Sequence, residues 1–129
     1  MSPRRVTVVV PDLFFATRIA TTAAQLGIAL ETPAPGAALA AIAAHPPDLV
    51  ILDLQSAGDP LGLTRALKAD PATRAIPVVG FYPHVEAALR EAAQAAGVDL
   101  VLPRSAFTAR LAALLAGPPG PPGEGGTPA

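Results

Sequence analysis

Asp48-Leu49-Val50-Ile51-Leu52-Asp53 is followed at once by the loop Gln55 to Gly62, which carries Gly58, Pro60 and Gly62. Four consecutive aliphatics are too few for a helix, and with breakers beyond them they read as a strand buried on both faces. Such strands belong to parallel sheets, and the carboxyl ends of those strands are where open α/β sheets bind ligands. A carboxylate at Asp53 is therefore either a site residue or a cap of the loop that follows.

On either side of this strand, strand and helix patterns alternate five times along the chain. Arg5–Val10 reads as the first strand and Leu13–Leu26 as a helix closed by Gly27. Ile28–Glu31 is a short strand near an edge, and Pro35–His45 an Ala-rich helix stopped by Pro46-Pro47. Leu49–Asp53 is the third strand, Asp59–Ala69 a helix with Pro60 in its first turn, and Ile76–Phe81 the fourth strand. His84–Ala96 is a helix closed by Gly97, Val98–Leu102 the fifth strand, and Ser105–Ala116 a final amphipathic helix. Strands joined by helical crossovers predict a doubly wound parallel α/β sheet with helices on both faces. Residues 1–116 make one domain, and the Gly/Pro-rich stretch 117–129, with no aliphatic larger than Ala, is expected to be a disordered tail.

Composition narrows the function classes. The chain has 129 residues, enough for a single core, with 51% hydrophobic and 15% charged residues, the balance of a globular protein. One Tyr, four Phe and no Trp are too few for a stacking platform on single-stranded nucleic acid. A net charge of −1 without a basic stripe argues against duplex binding. The absence of Cys removes disulfides, thiol catalysis and zinc–thiolate sites together. The apolar start stops at Pro11-Asp12 without a small-residue cleavage site, so it reads as a strand rather than a leader. No apolar run approaches the roughly 18 residues of a membrane span. A cytoplasmic protein with no nucleic-acid or membrane partner is expected.

In a doubly wound sheet the ends of strands one, three, four and five border one crevice. Here they bring Pro11-Asp12, Asp53, Gly80 to His84, and Pro103-Arg104-Ser105 together: two carboxylates, a guanidinium, a phenol and an imidazole. Two clustered carboxylates suit a hard cation such as Mg²⁺, and Arg104 would pair with them or with a phosphoryl group they help to hold. Each residue also has a plainer reading. Asp12 could be the N-cap of the first helix, Arg104 a resting ion-pair partner of Asp53, and Tyr82 a packed aromatic. His84 could simply open the fourth helix. Leu13 and Phe14 could form a docking patch, although burial in helix one is the expectation. Gly80, late in a buried strand, implies close approach of another group to its backbone.

With these residues in view, the chain resembles the response-regulator receiver domain across nearly all of residues 5–116. The matching stretches are Val8-Val9-Val10-Pro11-Asp12, Leu49-Val50-Ile51-Leu52-Asp53-Leu54, Asp59-Pro60-Leu61-Gly62-Leu63, Ile76-Pro77-Val78-Val79 and Ala92-Ala93-Gln94-Ala95-Ala96-Gly97-Val98-Asp99. Their order and spacing together carry the likeness. The resemblance implies a flavodoxin-like strand order 2-1-3-4-5. It puts Asp53 at the phosphoacceptor position, Asp12 with Asp53 and the Gln55 backbone carbonyl as Mg²⁺ ligands, and Arg104 where the family has a phosphoryl-stabilising lysine. Tyr82 falls at the switch position of a small hydroxyl residue, and Gly80, His84 and Ser105 are accessory candidates.

The departures are as informative as the matches. Pro11 stands where the family carries the first of two consecutive acids, so Mg²⁺ affinity should fall. Tyr82 replaces Ser or Thr, and Arg104 keeps a lysine's charge in a planar, bulkier head. The usual Lys-Pro pair has become Arg104-Ser105. The likeness implies a single-domain signalling protein rather than an enzyme, taking a phosphoryl group on Asp53 from a histidine kinase or phosphotransfer protein, with weak Mg²⁺ binding. A full population switch needs roughly 5.5 kcal/mol of differential stabilisation, part of which Tyr82 removes, so a muted response is expected. A second reading, carried by the same departures, is a pseudo-receiver that binds proteins without phosphorylation. A third, a small hydrolase or nucleotide binder, is opposed by the absence of a Gly-rich phosphate loop and of Gly-x-Ser-x-Gly. Output is expected through the face of helix four, strand five and helix five. Leu111, Leu114 and Leu115 could serve a homodimer seam, although core packing accounts for most of them.

Overall fold

The computed structural model of the chain describes residues 4–83 and 86–117. Five strands, β1 (Arg5–Val9), β2 (Ala29–Glu31), β3 (Leu49–Asp53), β4 (Val78–Tyr82) and β5 (Leu100–Pro103), form one all-parallel sheet in the order β2-β1-β3-β4-β5. The doubly wound reading is borne out, with β2 at an edge. Val9 pairs with Leu52, Asp53 with Phe81, and Tyr82 with Pro103, so the carboxyl ends of four strands finish in line.

Helices cover both faces: α1 (Leu13–Gln25), α2 (Ala38–Ala44), α3 (Pro60–Ala69), α4 (Ala87–Ala96), α5 (Arg104–Ala109) and α6 (Leu111–Ala116). Side chains alternate along β3. Leu49 and Ile51 join Phe15, Ile19 and Ala23 of α1 and Phe107, Leu111, Leu114 and Leu115 of α5 and α6. Val50 and Leu52 join Ala38 and Ile42 of α2, Leu67 of α3 and Ala93 of α4. All four aliphatics of β3 are 0% exposed, each contributing roughly 1.5–3 kcal/mol of burial. Buried Ala23, Ala38 and Ala93 let the helices lie close on the sheet. Leu111, Leu114 and Leu115 are buried, so the core claims them and they offer no dimer seam.

Several boundaries differ from expectation, each for a local reason. Strand β4 starts at Val78 rather than Ile76 because Pro77 has no N–H to give a ladder. Strand β5 starts later than Val98 because the Val98 amide closes α4 on Ala93 O at 3.0 Å, while Gly97 takes φ 107°. Asp99 is also committed: its Oδ2 accepts from Lys68 Nζ and from the Val78 amide, both at 2.8 Å. The helix expected over Pro35–His45 begins as a 3₁₀ turn, Pro35–Ala37. The single last helix expected over Ser105–Ala116 is two, broken at Arg110, whose amide is shared between Ala106 O and Phe107 O at 3.2 and 3.1 Å. The break lets Phe107 and the three leucines enter the same core. The described part of the fourth helix starts at Ala87; His84, its expected first residue, lies outside the described residues, as does the tail from Pro118. No helix among the described residues is long and apolar enough to cross a membrane.

The group that approaches Gly80 is the side chain of Leu54. A Cβ built at Gly80 would stand 2.6 to 2.8 Å from Leu54 Cδ2, Cγ and Cδ1, and Leu54 is only 3% exposed, so it has nowhere to swing. Gly80→Ala should destabilise the fold by about 1–3 kcal/mol, the usual penalty of overpacking. Gly36→Ala, where an added Cβ meets nothing within 4 Å, is the near-neutral control in urea unfolding.

Candidate functional site

Asp12 leaves β1 in extended backbone and caps α1: its Oδ1 accepts from the amides of Phe14 and Phe15 at 3.0 and 3.1 Å. The cap and the site reading coexist, because Oδ2 of the same carboxylate accepts from Arg104 Nη2 at 3.1 Å. The Phe15 amide first, and Arg104 next, hold the Asp12 carboxyl below its ordinary 3.8. Arg104 therefore pairs with Asp12 and not with Asp53, correcting the resting pair expected from sequence.

Arg104 opens α5 and sits over an aromatic floor. Its guanidinium carbon is 4.3 Å from the centroid of the Phe15 ring and 5.9 Å from that of Phe81. Phe15 and Phe107 each stand 4.8 Å from Phe81, centroid to centroid. A cation over an aromatic face gains about 0.5–2 kcal/mol, more as water is excluded. Arg104 Nε is buried with no hydrogen-bond partner among the described residues, so ring contact stands in for solvation at that edge.

Asp53 ends β3 half-buried, with Oδ1 accepting from the Gln55 amide at 3.0 Å and no ion-pair partner among the described residues. Burial raises its carboxyl above the ordinary 3.8; the Gln55 amide and then the Arg104 charge oppose that, and the Asp12 charge adds to it. Gln55 itself is tied sideways, its Nε2 donating to Glu86 Oε2 at 3.0 Å.

The Mg²⁺ implied by the receiver resemblance would be held by Asp12, Asp53 and the Gln55 carbonyl. Mg²⁺ demands near-octahedral oxygen ligands and dehydrates reluctantly. Here both oxygens of Asp12 are engaged, one by backbone amides and one by a guanidinium. Among the described residues no group of three or more His, Cys, Asp or Glu is placed to hold a metal. As arranged, Asp12 is satisfied by backbone amides and an internal guanidinium, which a divalent ion would have to share or displace.

The remaining candidates divide. Tyr82 is 5% exposed and packs in the α2–α4 core, on the sheet face opposite the aromatic floor of Arg104. Gly80 is buried under Leu54 and offers the site nothing. Ser105 is exposed and lines an adjoining cleft. His84 lies outside the described residues. Leu13 and Phe14 are 79% and 92% exposed, against the expected burial, because α1 turns Phe15, Ile19 and Ala23 inward. Sequence reasoning missed Phe15, Phe81 and Phe107 as the support of Arg104, since no local pattern links them.

The two carboxyls carry opposite pH signatures. For Asp12, lowered in the fold, the stabilisation is present above its unfolded value and is lost as pH falls through the folded one. For Asp53, raised in the fold, the ionised form is the disfavoured one. Asp53→Asn should therefore raise the melting temperature at pH 7, and the gain should vanish as pH falls below 3.8. Carboxyl ¹³C NMR titration should show Asp12 moving up towards 3.8 in Arg104→Ala while retaining a residual depression from the Phe15 amide.

No protein-family profile and no curated protein matches the sequence. Solved structures do match. A response regulator from Hahella chejuensis is 26% identical, with a TM-score of 0.74 over 88% of this chain and 92% of its own. The receiver domain of a sensor histidine kinase from Pseudomonas aeruginosa, with magnesium in its active-site cleft, is 20% identical, with a TM-score of 0.78 over 88% and 95%. A chemotaxis response regulator of Vibrio cholerae is 17% identical, with a TM-score of 0.78 over 88% and 97%. The five-stranded parallel order and the two-faced helical cover agree with this likeness: this chain has the fold of the response-regulator receiver domain.

Proposed function

We propose that the protein is a receiver-fold signalling module that works through protein contacts without phosphorylation of Asp53. The observation that carries this reading is the full engagement of Asp12, whose oxygens serve the α1 amides and Arg104. Phosphoryl transfer depends on positioning and on neutralising the charge that the transferred group spreads over its oxygens. With Asp12 committed and Pro11 in the neighbouring position, little is left to recruit a metal for that task. Arg104 must leave both a carboxylate and a ring to reach a phosphoryl group. Tyr82, packed in the opposite core, offers no small hydroxyl to follow it. The output partner binds, on this reading, along α4, β5 and α5.

One observation favours the phosphoacceptor reading instead: Asp53 Oδ2 has no hydrogen-bond partner among the described residues and stands at the carboxyl end of the central strand. Intact-mass measurement after incubation with Mg²⁺ and a small acyl phosphate separates the two, with a competent receiver labelled in parallel. No phosphate-sized gain is expected in the wild type, and Asp53→Asn should bind the output partner with unchanged affinity. A gain in the wild type that Asp53→Asn abolishes would replace this reading with the phosphoacceptor one.

A further inference from the structure

Continuous with the Asp12–Arg104 pair, α1 and the start of α5 border an open, shallow cleft of about 810 Å³, within the range of small-molecule sites. Phe14 and Arg18 stand one helical turn apart on α1, so ring and guanidinium face the cleft from the same side. Pro83 and Pro103 add flat apolar walls, and Ser105 of α5 a hydroxyl. Asp53 does not line it.

We propose that this cleft binds a small planar organic anion, with its ring on Phe14 and the prolines and its charge on Arg18. Three observations carry the assignment. Phe14, 92% exposed, differs from an ordinary stray apolar side chain in that it borders an open cleft that also presents a guanidinium and a hydroxyl. The one acid in the lining, Asp12, is already paired with Arg104, which leaves Arg18, without an ion-pair partner among the described residues, as the uncompensated charge. The Ser105 hydroxyl makes no hydrogen bond among the described residues, whereas that of Thr108 is committed to Arg104 O at 2.9 Å, so Ser105 is the free donor. A flat apolar body with one acidic end answers all three, where a bare inorganic anion would leave Phe14 in water. The inference does not depend on whether Asp53 is phosphorylated.

The test is titration of ¹⁵N-labelled protein with naphthalene-1-sulfonate, indole-3-acetate and phenyl phosphate, read by amide NMR. At least one should give saturable shifts centred on Phe14, Arg18 and Ser105. Inorganic phosphate and uncharged indole should bind about tenfold more weakly or worse, each lacking one half of the recognition. Arg18→Ala should weaken the best probe about tenfold, as expected for a hydrogen bond to a charged group. Phe14→Ala should do the same through the ring, and both exposed substitutions should leave the unfolding midpoint unchanged. Saturable shifts from none of the three probes would overturn the proposal. So would binding indifferent to both substitutions, or inorganic phosphate binding as tightly as the best probe.

Discussion

Burial of β3 on both faces is the constraint from which the rest of the molecule follows. Leu49, Val50, Ile51 and Leu52 have no exposed surface, and a central parallel strand can reach that state only if helices cover both sides. Parallel neighbours require crossovers, and crossovers bring every strand to the same edge of the sheet at its carboxyl end. The polar residues that the core rejects therefore collect there, with Asp12, Asp53 and Arg104 among them. A ladder of local polar contacts holds the opposite edge, where Lys68 Nζ joins Asp99 and the carbonyls of Arg74 and Ile76.

At the carboxyl edge the electrostatics are settled internally. A receiver-like arrangement of two acids and a cation can neutralise itself in more than one way. Here the guanidinium pairs with Asp12 and stacks on Phe15, leaving Asp53 half-buried and disfavoured as an ion. The choice of Arg matters to that outcome. A planar, weakly hydrated head can lie over an aromatic ring and pair with a carboxylate at the same time, which a compact, strongly hydrated ammonium does less well. The three-phenylalanine cluster beneath it is thus both core and platform, and it ties the geometry of the site to the packing of α1 against α5.

The same packing sets what lies next to the crevice. Because α1 turns Phe15 inward to the cluster, Phe14 one position earlier must point outward, and Arg18 follows it by one turn. The exposure of Phe14 is a consequence of helical phase, and the cleft it borders lies between α1 and the start of α5. Tyr82 and Phe81 show the same logic in a strand. Adjacent residues fall on opposite faces, so one completes the floor of Arg104 and the other leaves the site for the second core.

What the sequence by itself determined is whatever a local pattern can encode. The aliphatic run of β3, the breakers after it, Asp12 before α1 and Gly97 after α4 are each legible within a few residues, and together they imply strand order, layers and the edge where the site lies. The start of β5 was less legible, because Asp99 is drawn off by Lys68 and Val98 by the last turn of α4. Which carboxylate Arg104 meets, what approaches Gly80 and where Tyr82 packs were decided only by tertiary structure. The Arg104–Asp12 contact spans 92 residues of chain, and its competitor, a contact with Asp53, uses the same residue types at the same edge of the sheet. Only the position of the Phe15 ring beneath the guanidinium and the α1 amides beside Asp12 separate the two, and neither is written in the spacing of the charges.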